Sequence, residues 1–145
     1  MNEPIKIAVA GLGTVGAGVL KLLAAHGDML AARCGRPLEV TAVSARDKGL
    51  ERGVPLDGCA WFDDPVKMAA EADADVIVEL IGGTENPARA VCEAAIAAGR
   101  HVVTANKALI AHHGIKLARA AEKAGVALAY EAAVAGAIPI IKTLR

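Results

Sequence analysis

The stretch IKIAVAGLGTVG, residues 5–16, decides the fold. A six-residue apolar run, typical of a buried strand, ends in G-x-G-x-x-G and passes directly into an apolar helical pattern. In such a turn Gly11 allows the tight bend, Gly13 lets a pyrophosphate approach the backbone, and Gly16 lets helix and strand touch. The free N–H groups of the first helical turn then face the phosphates. The alternative interpretation is a glycine-rich turn without a ligand. The candidate dinucleotide-binding residues of the turn are Gly11, Gly13, Thr14, Val15 and Gly16.

Strand-like and helix-like runs alternate through the rest of the chain. This alternation indicates right-handed βαβ crossovers and an α/β fold with a doubly wound parallel sheet, a Rossmann-type dinucleotide-binding domain. Asp63 or Asp64 and Asn86 are predicted helix N-caps, and Gly99 and Gly125 are predicted to follow helix ends. Strands are predicted over residues 5–10, 38–44, 61–62, 75–81, 101–104 and 126–130, and helices over 14–32 with a break at 27–28, 65–72, 87–98, 108–124 and from 139 onward.

Composition narrows the class of protein. Of the 145 residues 54% are hydrophobic and only 2% aromatic, which suits strands buried on both faces. Lys+Arg and Asp+Glu are balanced at 16 each, so we expect no nucleic acid and no anionic membrane as partner. Cys34, Cys59 and Cys92 lack metal or redox spacing, and the N-terminus lacks a signal peptide, so a cytoplasmic protein with reduced thiols is expected.

The end of the second strand bears on which dinucleotide binds. An NAD site usually places Asp or Glu there, on the ribose 2′-hydroxyl. Here Ser44, Arg46 and Lys48 offer a hydroxyl and two cations to a 2′-phosphate, whereas Asp47 would repel it. The residues therefore favour NADP with NAD tolerated. A solvated charged loop is the alternative.

Ligands of open parallel sheets lie beyond the carboxyl ends of the strands. Gly82 and Gly83 follow one strand and permit backbone close to a bound ribose or nicotinamide. Glu79, inside that strand, is either a site residue or a carboxylate satisfied by backbone donors. Lys107 follows Thr104 at the junction of the next strand and a helix. It either faces a substrate or snorkels from the helix start.

Five segments in this order and spacing resemble the N-terminal nucleotide-binding domain of homoserine dehydrogenase: GLGTVG, VSARDK, VELIGG, VVTANKALIA and YEAAVAGAIPII. GLGTVG alone is generic. The last two segments are far more specific, because related dehydrogenases keep the first motif and not these two. The resemblance covers essentially the whole chain.

The resemblance implies an activity and a domain order. The family interconverts L-homoserine and L-aspartate 4-semialdehyde with NADP(H) or NAD(H), in the cytoplasm, for threonine, methionine and isoleucine synthesis. Residues 1–137 would form the NAD(P)-binding domain, and residues 138–145 would begin the helix that leads to a substrate and dimerisation domain. The whole enzyme would be a homodimer or larger. The chain alone would be inactive, because the principal proton-donor lysine belongs to that second domain.

The resemblance also implies roles for single residues. Thr104 and Lys107 would lie at the cofactor, with Lys107 beside nicotinamide and substrate as the catalytic candidate of this chain. A monovalent cation, usually sodium, would be held by the glutamate and carbonyls of the segment after the last strand. Ala135 departs from the family pattern, in which many members have Gly. The predicted cation ligands are Glu131, Val134, Gly136 and Ile138.

Two other functions remain open from the residues. Another amino-acid-pathway NAD(P) dehydrogenase would share the cofactor fold. A non-catalytic nucleotide-sensing module would need the glycine turn, but it would need neither Lys107 at a strand end nor the irregular segment 131–139.

Overall fold

Six parallel strands form one sheet in the order β3-β2-β1-β4-β5-β6 in the computed structural model, which describes residues 3–144. This arrangement confirms the predicted α/β doubly wound fold. The strands are β1 Ile5–Ala10, β2 Leu38–Ser44, β3 Ala60–Phe62, β4 Val76–Glu79, β5 His101–Thr104 and β6 Leu128–Ala129. The helices are α1 Thr14–Cys34, α2 Pro65–Glu71, α3 Ala88–Ala97, α4 Lys107–Ala124 and α5 Ile140–Thr143, with short 3₁₀ turns at Glu131–Ala133 and Ala135–Ala137.

The strand order reverses between β1 and β4, which both lie at the centre of the sheet. Register brings the last residues of four strands side by side: Ala10 pairs with Ser44 on one side and Glu79 on the other, and Glu79 pairs with Thr104. Crevices at such a reversal are where open α/β sheets bind ligands. The polar strand ends identified from sequence therefore share one edge of the sheet.

Two hydrophobic clusters hold the layers together. On one face of the sheet Met68, Val91 and Leu109, from α2, α3 and α4, are buried. On the other face α1 packs through Gly16 and Leu20. Most of α1 remains exposed, and its length and composition alone would let it cross a membrane, a property that core helices of soluble proteins share.

Helix ends follow the predictions with one exception. Asp64 caps α2 by accepting hydrogen bonds from the backbone N–H of Val66 and Lys67, and Gly99 and Gly125 adopt left-handed φ of 73° and 69°. The prediction of Asn86 as N-cap was wrong, because Pro87 occupies that position, with no side-chain cap, after a cis peptide bond.

Several elements differ from their predicted bounds. β6 covers only Leu128–Ala129 of the predicted residues 126–130. The irregularity in α1 falls at His26 (φ −124°, ψ 19°), just before the predicted break, and the helix continues to Cys34. β4 ends at Glu79 rather than at residue 81, because the Glu79 carboxylate accepts hydrogen bonds from the backbone N–H groups of Ile81 and Gly82. Arg145, the end of the predicted last helix, lies outside the described residues.

Candidate functional site

The glycine turn is built by close backbone packing. Gly11 has a φ of 100°, and a Cβ there would lie 2.7 Å from the Leu80 carbonyl oxygen. A Cβ on Gly16 would overlap the Gly11 carbonyl oxygen, so Gly16 lets the helix approach the turn itself rather than the strand. A Cβ on Gly13 would meet no atom within 4 Å. Gly13 therefore borders open space, as a residue approached by a ligand should.

Neighbouring strand ends fasten this turn. The Gly11 N–H donates to the Ser44 carbonyl at 2.9 Å, and the Leu80 N–H donates to the Ala10 carbonyl at 2.8 Å. Between the turn and these strand ends lies a cleft of about 430 Å³. It is lined by Gly11, Leu12, Gly13, Ser44, Ala45, Arg46, Asp47, Leu50, Arg52, Asp63, Pro65, Leu80, Ile81 and Pro87.

Ser44, at the end of β2, lines this cleft and carries a buried hydroxyl. Among the buried side-chain nitrogen and oxygen atoms of residues 3–144, the Ser44 hydroxyl oxygen is the one without a hydrogen-bond partner. Burying a hydroxyl without a partner is unfavourable, so this atom fits a ligand hydroxyl or phosphate. The exposed Arg46 side chain belongs to the same wall, and the Asp47 carboxylate accepts from the Gly49 N–H at 2.8 Å.

Lys48 does not line this cleft. Its ammonium lies 5.9 Å from the centre of the Trp61 ring, and the Arg52 guanidinium lies 5.8 Å from the same ring. Both distances suit cation–π contacts. Arg46 thus lines the cleft, and Lys48 lies against the ring that the cleft residue Arg52 also contacts.

Arg52 is a cleft residue that sequence reasoning missed. Its guanidinium donates to three backbone carbonyls, those of Leu12 (3.1 Å), Leu50 (2.7 Å) and Asp47. The side chain thereby ties the loop after β2 to the glycine turn. No periodic pattern marks this arginine, because its role depends on a contact across 40 positions.

Asp63 was also missed as a cleft residue. It follows β3, and its carboxylate accepts a hydrogen bond from the Trp61 indole at 2.8 Å. The strand-end rule, had it been applied to the short β3, would have found it.

A buried hydrogen-bond network joins the ends of β4 and β5. The fully buried Glu79 carboxylate accepts from the backbone N–H of Ile81 (2.8 Å) and of Gly82 (3.1 Å), and from the Thr104 hydroxyl (2.6 Å). The structure thus supports the interpretation that donors within the fold satisfy Glu79. It also brings Thr104 against this carboxylate, a contact that spacing alone does not predict.

Lys107 is the first residue of α4, and its side chain is exposed. Asn106 caps the helix by accepting from the Leu109 N–H at 3.0 Å. Lys107 is therefore exposed to solvent at the edge of the sheet where β4 and β5 end, which Gly82 and Gly83 also border. Burial of this lysine would have to come from a bound ligand or from another part of an assembly.

The segment after β6 contains the predicted cation ligands. Glu131 and Gly136 are exposed, Ile138 is 65% exposed, and Gly136 has a φ of 62°. Ala135 adopts a φ of 51°, a left-handed conformation that favours glycine. No cluster of three or more His, Cys, Asp or Glu side chains suited to a metal occurs among the described residues, so carbonyl oxygens would have to supply most ligands.

A surface ion-pair network lies beside the 82–87 loop. Glu85 contacts His113 at 2.9 Å and Arg89 at 3.0 Å, and Arg89 also pairs with Glu93 at 3.2 Å. The hydrogen bond from His113, assisted by Arg89, lowers the pKa of Glu85. The network connects the start of α3 to α4 at the outer rim of the site.

The glycine turn, the cleft and the aligned strand ends at the reversal of strand order define a Rossmann-type dinucleotide-binding domain. The family model described as "Homoserine dehydrogenase, NAD binding domain" matches residues 11–131. The chain belongs to this family.

Individual relatives agree with this membership. A homoserine dehydrogenase from Corynebacterium glutamicum is 47% identical over 99% of this chain, and one from Bacillus subtilis is 37% identical. The crystal structure of a homoserine dehydrogenase from Thiobacillus denitrificans superposes with a TM-score of 0.88 at 41% identity over 97% of this chain. The chain spans about a third (32%) of the length of the Corynebacterium and Thiobacillus relatives.

Proposed function

We propose that the chain binds NADP(H) across the carboxyl ends of β1, β2 and β4 and that it serves an enzyme interconverting L-homoserine and L-aspartate 4-semialdehyde. One observation carries the cofactor proposal: the cleft joins the glycine turn to a buried, unpartnered Ser44 hydroxyl. Family membership carries the substrate proposal. The alternative of a nucleotide-sensing module is disfavoured, because the relatives are homoserine dehydrogenases.

The residues at the turn would hold the two phosphates and the adenosine ribose. Backbone N–H groups of Gly13, Thr14 and Val15 at the start of α1 would donate to the pyrophosphate. Ser44 would hydrogen-bond the ribose or its phosphate, and Arg46 would pair with a 2′-phosphate. The Asp47 carboxylate is engaged by the Gly49 N–H, which supports NADP over NAD.

The residues at the ends of β4 and β5 would shape the nicotinamide end. Gly82 and Gly83 would border the ring, and Lys107 would reach from the start of α4. The buried Thr104 would support this cofactor-binding edge through its hydrogen bond to Glu79. The bound cofactor supplies the hydride for aldehyde reduction. The Lys107 ammonium would stabilise the developing oxyanion, while the principal proton donor would come from outside this chain.

A monovalent cation, sodium in our proposal, would join Glu131 to the carbonyl oxygens of Val134, Gly136 and Ile138. A carboxylate and carbonyls are the hard oxygen donors that such a cation prefers. The ion would act structurally, holding the segment that leads out of this domain. We further propose that the whole enzyme is a cytoplasmic homodimer or larger assembly. It would serve threonine, methionine and isoleucine synthesis.

Titration of the chain with NADPH and then NADH tests the cofactor proposal. We expect tighter binding of NADPH, and loss of that preference in Arg46→Ala. Arg119→Ala, an exposed position on α4, is the matched control and should leave both affinities unchanged. Retention of NADPH preference by Arg46→Ala would refute the role of Arg46. Homoserine oxidation by the chain alone would refute the need for a further domain.

A further inference from the structure

Glu79 is a fully buried carboxylate to which the proposed chemistry assigns no part. Its side chain is 0% exposed, and no ion pair involving it occurs among the described residues. Three hydrogen-bond donors compensate it: two backbone N–H groups and the Thr104 hydroxyl. A buried carboxylate is costly unless such donors are held in place.

The direction of each hydrogen bond in this network is determined. The Asn106 N–H donates to the Thr104 hydroxyl oxygen at 3.0 Å. The same hydroxyl donates its own proton to the Glu79 carboxylate, 2.6 Å away. Both carboxylate oxygens act as acceptors, and an amide in place of the carboxylate would offer only one.

The network reaches two segments that border the site. The Asn106 side chain donates to the Gly83 carbonyl at 2.7 Å and accepts from the Leu109 N–H at 3.0 Å. One continuous set of bonds thus runs from Glu79 to the glycine loop after β4 and to the first turn of α4, which begins at Lys107.

We propose that Glu79 is a positioning residue that fixes the loop 81–83 and the start of α4 as one unit at the nicotinamide end of the cleft. It touches neither cofactor nor substrate and acts through Thr104 and Asn106. The proposal rests on the proposed function, because it needs the cofactor to lie across the strand ends.

The opposite end of the cleft is held by different bonds. Gly11 is bonded to Ser44, and Arg52 is bonded to the Leu12 carbonyl. Loss of Glu79 should therefore disturb the nicotinamide end and leave the adenosine end intact. Such selectivity distinguishes a positioning role from a general contribution to folding.

The test compares two ligands on the chain: NADPH, and adenosine 2′,5′-bisphosphate, which lacks the nicotinamide half. In Glu79→Gln and Thr104→Val we expect the Kd for NADPH to rise about tenfold, as loss of one hydrogen bond to a charged group implies. The Kd for the bisphosphate should stay unchanged. Thr104→Ser keeps the hydroxyl and should restore NADPH binding. Glu71→Gln, an exposed carboxylate on α2, is the matched control.

Each other result counts against the proposal. Unchanged NADPH affinity in both variants overturns it, and an equal loss for both ligands shows a structural role only. If Glu79→Gln does not fold, the comparison of Thr104→Val with Thr104→Ser decides alone. If the unaltered chain binds neither ligand, the proposed function itself fails, which separates that failure from failure of the Glu79 proposal.

Discussion

Gly16 in α1 stands against the carbonyl oxygen of Gly11, with no room for a Cβ between them. The first turn of the helix is thereby docked onto the bend that precedes it. In the proposed cofactor complex, this close approach would leave the free N–H groups of the helix start open to the pyrophosphate. Gly13, between the two, has empty space where a Cβ would stand.

Gly16→Ala should therefore lower the stability of the chain, whereas Gly13→Ala should weaken its binding of NADPH. Gly16→Ala forces the turn and helix apart and should lower the free energy of unfolding by about 1–3 kcal/mol. Gly13→Ala leaves stability near that of the unaltered chain, because its φ of −73° suits alanine, but the methyl group fills space meant for the ligand. Urea unfolding and NADPH titration measure the two effects separately.

Gly18→Ala is the control for this pair, since a Cβ there also meets nothing within 4 Å and the position is exposed within α1. It should stabilise the chain by about 0.5–1 kcal/mol and leave NADPH binding unchanged. Equal loss of NADPH affinity in Gly13→Ala and Gly18→Ala would contradict the assignment of the phosphate site.

Arg52 should prove difficult to replace. Arg52→Ala frees three carbonyls and the loop after β2, so we expect weaker NADPH binding and faster proteolysis within residues 46–58. Arg52→Lys should rescue little, because an ammonium cannot reproduce the planar fork that reaches three acceptors. Limited proteolysis with and without NADPH checks this, and full rescue by lysine would show that charge alone matters.

Lys107 is exposed, so its replacement should affect chemistry more than folding. In a homoserine dehydrogenase that carries this domain, Lys107→Ala should lower kcat about tenfold or more. This is less than the roughly hundredfold or larger cost of removing a main oxyanion donor, because the principal proton donor would come from outside this chain. The melting temperature and the Kd for NADPH should change little. Lys123→Ala, exposed at the other end of α4, should leave kcat unaltered. Unchanged kinetics in Lys107→Ala would remove this residue from the site.

The contact between Glu85 and His113 predicts a pH-dependent contribution to stability. The pKa of Glu85 is lowered in the folded chain, first by the hydrogen bond to His113. A depressed carboxyl pKa stabilises the fold above the pKa of the unfolded chain, and this stabilisation is lost as pH falls through the folded value. Glu85→Gln should therefore melt below the unaltered chain at pH 6, and the difference should shrink as pH falls below about 4.3, the ordinary pKa of a glutamate. A difference that stays constant as pH falls would argue against this carboxylate contact as its cause.

The sequence predicted the sheet and most of the strand ends, because glycine patterns and apolar runs report local geometry. Gly125 follows the end of α4 as predicted, whereas the cap at its start, Asn106, was not predicted. Arg52 and the bond between Thr104 and Glu79 escaped prediction because they join residues 40 and 25 positions apart. The start of α3 was misplaced because Asn86 has a side chain typical of an N-cap, whereas Pro87 occupies that position without a side-chain cap.

The position of β1 at the centre of the sheet has a consequence for synthesis on the ribosome. β1 lies between β2 and β4, and the backbone N–H of Lys6, within β1, already bonds to a carboxylate 69 residues later, on Asp75 just before β4. The emerging chain can pair β1 with β2 early, but the other edge of β1 stays open until half of the domain has left the exit tunnel. Folding must therefore wait for β4, and during that interval the nascent chain presents an unpaired apolar strand to chaperones.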